Sequence, residues 1–212
     1  DKFNDGRNPG HAYVPRFRNV YRQETDFLRG YAIGMSASRQ LDGNGELIGD
    51  ALRDSLLNPK YGLWGMSAWM QGEMVPDESN HMRLSTEEKD KYGIPKIIMS
   101  VEWKDNDNKM TADFVKQQSE MYERMGFKNI NVVDRGSPPG SDIHEMGGVR
   151  MGNDPKTSLV NKYNQLHACP NVFVTDGACM TSASTQNPTL TFMTLTARAA
   201  NHAVEELNKL NL

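Results

Sequence analysis

Three segments alternate between apolar and small or polar residues at a period of two, and this limits the possible folds more than any other feature of the chain. Tyr31, Ile33, Met35 and Ala37 fall on one face, and Ala32, Gly34, Ser36 and Ser38 on the other. In residues 63–74, Trp64, Met66, Ala68 and Met70 share an apolar face, opposite Ser67, Trp69 and Gln71. Ile97, Met99, Val101 and Trp103 form a third apolar face, opposite Ser100 and Glu102. Alternation with one wet face is the pattern of a half-buried strand. Three such strands imply an α+β chain, with an antiparallel sheet backed by helices and a polar face left open in front. Asp42-Gly43-Asn44-Gly45 and Asp105-Asn106-Asp107-Asn108 read as turns.

Helical periods occupy two other stretches. Thr111 can cap a helix running to about Met125, with Phe114, Met121, Tyr122 and Met125 on one stripe and Gly126 at its end. Asn187-Pro188 opens a second helix, running to about Leu207. Asn is favoured at the N-cap and Pro at the first helical position. Leu190, Met193, Ala197, Ala200 and Val204 recur there at spacings of three and four, the mark of a buried stripe. Short strands are expected at residues 130–133 and 172–174.

The ends and the middle differ in character. Residues 1–28 read as an extended arm, with Gly6, Pro9, Gly10 and Pro15 breaking any helical period. Residues 29–140 carry the alternating strands and read as a β-rich region. Gly136-Ser137-Pro138-Pro139-Gly140 marks a boundary, beyond which residues 141–212 are dense in Gly, Asn, Thr and Ser. The formal net charge is −3 and no basic stripe is present, so nucleic acid is not the expected partner. No run approaches the ~18 apolar residues of a membrane span. The two cysteines, Cys169 and Cys179, form no CxxC pair and say little about compartment. A chain that opens on Asp1 is expected to be a processed product or a piece of a longer protein, from which a targeting segment could have been lost. A soluble protein of cytoplasm or periplasm is expected, with the choice left open.

Several chemistries are excluded by their missing parts. His144-Glu145-Met146-Gly147-Gly148 begins like a zinc-protease HExxH, but its fifth position is Gly148, so no metal site is expected. Ser182 and Ser184 lack a GxSxG elbow around them. No GxGxxG occurs, so the chain cannot itself supply the usual glycine turn for a dinucleotide pyrophosphate. What remains is His144 before a Gly-rich turn, a segment ending at Asp176-Gly177, and the helix start at Asn187-Pro188-Thr189. A helix N-terminus carries partial positive charge and free N–H groups, and can hold an electron-rich ring.

The run His144-Glu145-Met146-Gly147-Gly148-Val149-Arg150-Met151-Gly152 resembles the C-terminal signature of the glucose-methanol-choline (GMC) flavin oxidoreductases, above all the branch of bacterial sugar and gluconate dehydrogenases. Asn161-Lys162-Tyr163-Asn164-Gln165-Leu166-His167, Asp176-Gly177 and Asn187-Pro188-Thr189-Leu190-Thr191 extend the match in order. Its sharp part covers residues 144–207. Residues 80–101 fit the family's substrate domain more loosely, and the chain departs from the pattern at Cys169 and in residues 179–186.

The resemblance implies a substrate-binding domain, residues 29–140, plus an active-site loop, strand and helix in residues 141–212 that return to an FAD-binding domain, whose N-terminal half is absent here and would be a partner. It implies His144 and Asn187 as catalytic residues. It places Asp176, Gly177, Asn187, Pro188 and Thr189 beside FAD. The activity it implies is oxidation of an alcohol or sugar to a carbonyl, with His144 as base; this chain by itself is expected to be inactive. A histidine titrates near ~6.5 and so can be neutral at working pH. On the polar face, the apolar body of Trp69 beside polar Gln71 suits a sugar ring and marks both as substrate-binding candidates. The alternative is a non-catalytic sugar-binding or subunit-docking module.

Overall fold

The computed structural model describes residues 11–41, 46–141 and 143–212. The turn expected at residues 42–45 and the start of the arm lie outside the described residues.

The alternating segments pair as expected at their centre. Strand β2 (Tyr31–Leu41) runs antiparallel to β3 (Tyr61–Gly72), with Ile33 opposite Met70, Met35 opposite Ala68 and Ala37 opposite Met66. A short strand, β1 (His11–Val14), joins the other edge of β2, giving the order β1-β2-β3. Paired residues share a face, so the apolar residues of β2 and β3 form one back surface. Helix α2 (Asp105–Arg124) covers it. Tyr31 and Ile33 are fully buried there with Phe27, Met110 and Phe114, and Met66, Ala68 and Met70 pack at the margin. Trimming Met110 to Ala should therefore cost about 2–5 kcal/mol of unfolding free energy. Trp64, expected on the same buried face, lies at the distal end of β3 and is 40% exposed. Chemical denaturation of Trp64→Ala and Met110→Ala should show the larger loss for Met110.

Polar residues secure the back of the sheet as well. Tyr31 donates its hydroxyl to Asp113 Oδ2 at 2.7 Å, and Arg18 grips both oxygens of Asp113 at 2.8 and 2.9 Å. Burial raises the Tyr31 phenol far above its ordinary value, so it remains a donor. Arg16 and Arg29 both hold the buried Glu73, just beyond β3. Arg16 and Arg18, within the segment read as an arm, thus clamp carboxylates on the body of the fold.

Three local readings change. The strand at residues 97–103 does not join the main sheet. β5 (Pro95–Ser100) pairs with β4 (His81–Lys89) in a separate antiparallel hairpin. Asp90 closes that hairpin by accepting N–H bonds from Tyr92 and Ile94, and Gly93 takes φ +82°. Local closure thus pairs β5 with its sequence neighbour, and Ile97 and Met99 are left exposed. Second, α2 begins at Asp105 rather than Thr111. Asp107 accepts the Lys104 N–H at 2.9 Å, so the Asp-Asn run is a capped first turn. Thr111 instead donates to the Asp107 carbonyl inside the helix. Third, residues 130–133 form no strand, and residues 172–174 contribute one bridge, Phe173 to Gln165.

Helix α1 (Gly49–Leu57) buries no residue. Helix α3 (Thr189–Asn208) ends the fold. Its expected buried stripe is exposed, with Leu190 at 78% and Met193 at 60%. The opposite side packs instead: Ala199 is buried, and His202 stacks on Tyr163 with ring centroids 3.8 Å apart.

Candidate functional site

The front of the three-stranded sheet is made of small and polar residues, as the alternation required. Ser36 and Ser67 face each other across β2 and β3 and hydrogen bond at 2.9 Å. The next pair is Gly34 and Trp69, and the indole lies directly over the glycine. A Cβ added at Gly34 would stand 2.1 Å from the nearest ring carbon. His11 of β1 meets the indole edge-on with centroids 5.6 Å apart, and Trp69 remains 41% exposed. Gly34→Ala must drive the ring out of this position. We expect a lower Tm and a shifted Trp fluorescence maximum from that single methyl, measured against Ser36→Ala as control.

Gln71, two residues along the same face, is the junction between the sheet and the C-terminal segment. Its Nε2 donates to Asn187 Oδ1 at 3.2 Å. Its Oε1 accepts from the Tyr13 hydroxyl, which also reaches the Thr185 carbonyl at 2.5 Å. Burial raises the Tyr13 phenol above its ordinary value, so the proton is retained. A third tie, Arg29 Nη1 to Ser182 Oγ at 3.2 Å, fixes the same loop. Ser182, Thr185 and Asn187 are thus all held against the sheet, and Thr185 and Pro188 are buried beneath the loop.

Asn187 does not cap α3. The N-cap residue is Pro188, and no side chain caps it. The first turn of α3 therefore carries no side-chain capping bond. Asp176 commits one carboxylate oxygen to the Ala178 N–H at 2.8 Å, which shapes the short helical turn Gly177–Cys179. Gly177 lies against Met146, whose sulfur would be 2.9 Å from a Cβ there. The segment after His144 runs beside this turn through Val149 N–H to Ala178 O at 3.0 Å and Met151 N–H to Cys179 O at 2.9 Å. His144 is half-buried and takes φ +77°, a left-handed conformation uncommon for a residue with a side chain.

The structure thus joins Gln71 to Asn187 and places Trp69 on the same face. It sets the His144 segment beside Asp176 and Gly177. Tyr13, Arg29, Ser182 and Thr185 complete the junction, and none of them carried a signal for that role in the sequence. His11, without an expected role, is the edge partner of Trp69. Among the described residues, no group of three or more His, Cys, Asp or Glu could hold a metal ion. No helix among them is long and apolar enough to cross a membrane.

The front of the sheet thus meets the C-terminal segment at Gln71 and Asn187, and the segment after His144 runs beside the Gly177–Cys179 turn. The GMC oxidoreductase family model matches residues 76–196, more than half of the chain, and the chain belongs to that family. It is 34% identical over 137 residues to a 2-methyl-1,2-propanediol dehydrogenase of Mycolicibacterium austroafricanum, covering 65% of this chain and 25% of that protein. It is 30% identical over 145 residues to the fructose dehydrogenase large subunit of Gluconobacter japonicus, covering 68% and 26%. It is 33% identical over 139 residues to the gluconate 2-dehydrogenase flavoprotein of Pantoea cypripedii, covering 62% and 22%. The chain spans about a quarter of the length of these relatives.

Proposed function

We propose that this chain is the substrate-side, C-terminal part of an FAD-dependent oxidoreductase that converts an alcohol or sugar CH–OH group to a carbonyl. The observation that carries this reading is the Gln71–Asn187 hydrogen bond, which locks the polar front of the sheet to the start of α3. The relatives support the substrate class, since their names include a diol, fructose and gluconate.

The residues present fit one edge of a flavin site. The start of α3 has no side-chain cap, so its first N–H groups are free to meet an electron-rich ring. Asn187, Pro188 and Thr189 would line that edge, with Asp176 and Gly177 beside it. When bound, the flavin supplies the hydride acceptor for oxidation of the carbon. The work of this chain is to bind and orient. Trp69 offers an apolar face to a sugar ring, and Gln71 gives that face a polar rim. An imidazole nitrogen of His144 takes the hydroxyl proton, and the Asn187 Nδ2 group donates to the oxygen from which it leaves. The exposed Leu190, Met193, Val204 and Leu207 of α3 give the face against which an N-terminal FAD-binding half would pack.

The test is the full-length gene product, purified and screened with polyols and sugars in the presence of an artificial electron acceptor. A yellow protein whose flavin is bleached by a sugar or polyol supports the proposal. A full-length protein with no flavin, or one that no CH–OH donor reduces, overturns it. The 212-residue chain alone should be colourless, which absorbance near the flavin band reads directly.

A further inference from the structure

We infer that the site takes its alcohol as a ring, a sugar in its cyclic form, and that Trp69 makes the selection. This rests on the alcohol- or sugar-oxidising reading given above and adds the shape of the substrate. The observation is the way the indole lies. A Cβ built on Gly34 would stand 2.1 Å from Cε2, 2.2 Å from Cζ2 and 2.6 Å from Nε1 of Trp69. In the plane of the ring, a point that close to the Cε2–Cζ2 bond would be either much nearer to Nε1 or much farther from it. The glycine is therefore beneath the ring, and the indole lies flat on the backbone of β2. His11 takes up one edge. Trp69 is nonetheless 41% exposed, so the second face of its ring remains open.

A broad aromatic face laid along a sheet recognises shape. It offers dispersion contacts to a flat, rigid apolar patch. A pyranose presents such a patch, because axial C–H groups cover its faces while equatorial hydroxyls lie round its rim. An open-chain polyol of the same carbon count has no rigid face and must lose bond rotations to build one. The register supplies polar groups for the rim. His11, Ser36 and Ser67 share one rung of the front, and Tyr13, Gly34 and Trp69 share the next. Such rungs are about 7 Å apart, two residues along the strand. Ser36 and Ser67 hydrogen bond to each other, which uses one hydroxyl hydrogen and leaves the second for a ring hydroxyl. Gln71, tied to Asn187, stands one rung away on the opposite side. A ring on Trp69 thus lies between the Asn187 end, where the reaction is placed, and a polar flank at Ser36 and Ser67.

The test compares rings with chains of equal carbon count in the full-length, flavin-loaded enzyme. Aldohexoses, almost wholly cyclic in water, are set against the matching hexitols with an artificial electron acceptor. We expect the wild type to prefer the rings in kcat/KM. In Trp69→Ala that preference should fall by roughly tenfold, the scale of one lost stacking face. KM for the rings should carry the change, and the hexitols should be little affected. Trp69→Phe should recover part of the preference. Gly34→Ala, which lifts the indole while keeping it, should behave like Trp69→Ala and serves if that variant does not fold. A merely structural tryptophan would change rings and chains alike. An unaltered ring-to-chain ratio, or a wild type that prefers the hexitols, overturns the inference.

Binding without turnover separates this inference from the redox reading on which it rests. Methyl hexopyranosides, locked as rings, are titrated calorimetrically into the full-length protein after its flavin has been reduced with dithionite. The wild type should bind them, and Trp69→Ala should bind them roughly tenfold more weakly. Equal affinity in the two proteins, or no binding by the wild type, overturns the role of Trp69. A full-length protein that binds the pyranosides through Trp69, yet is reduced by no CH–OH donor, overturns the oxidoreductase reading instead.

Discussion

His144→Ala should cut turnover of the full-length, flavin-loaded enzyme by roughly 100-fold or more, the range for a positioned general base. The flavin spectrum should be unchanged, because the imidazole carries none of the helix-start N–H groups. The backbone supplies a control. His144 has φ +77°, a conformation that costs a residue with a Cβ roughly 1–2 kcal/mol and glycine nothing. Glycine loses a comparable 0.5–1 kcal/mol through its freer unfolded chain. His144→Gly should therefore melt close to wild type while remaining inactive. Stability kept and turnover lost, in one substitution, separates chemistry from scaffold. A fully active His144→Gly would remove the histidine from the reaction.

The sequence disclosed those parts of the fold that local patterns determine. Alternation put Ile33 and Met70 on the back and Trp69 and Gln71 on the front, and the observed register agrees at each pair. Gly34, read only as a small residue, is the space into which the indole of Trp69 fits. Pattern could not choose pairing partners. β5 looked like a third strand of the main sheet because its apolar residues alternate equally well in a separate hairpin. The charged Glu87-Glu88-Lys89 end of β4 hid that partner. Nor could periodicity say what covers a face. The stripe of Leu190, Met193 and Val204 is real but exposed in this chain, while the Tyr163–His202 stack holds the other side.

The candidate site followed the same division. His144, Asp176-Gly177 and Asn187-Pro188-Thr189 stood out through the ordered motifs, and in the structure the segment after His144 runs beside the Gly177–Cys179 turn. The contacts between distant segments were not legible. Tyr13 and Gln71 are 58 residues apart, and Gln71 and Asn187 are 116 apart. Each is a common polar residue with no local signature. Only the strand pairing that puts β1 on the edge of β2, and the loop held at Ser182 and Thr185, brings the three side chains together.

Asn187→Ser should keep the melting temperature of the full-length enzyme and lose turnover by about 100-fold, the scale for removal of one oriented donor to a reacting oxygen. The helix side of this expectation rests on Pro188, which is the N-cap of α3 without any side-chain cap, so shortening Asn187 removes no capping bond. The bond to Gln71 is lost, but it lies on the exposed front of the sheet and contributes only about 1 kcal/mol. The chemical side rests on reach and polarity. Serine keeps a hydroxyl donor but is too short to bring it where the amide nitrogen was. Asn187→Asp keeps the length and, once ionised, cannot donate at all. Both variants should bind flavin normally and fail in kcat, and the two failures together assign the requirement to an N–H at that distance. If Asn187→Ser runs near the wild-type rate, the amide is a strut between α3 and the sheet, and the reacting oxygen is held by another group.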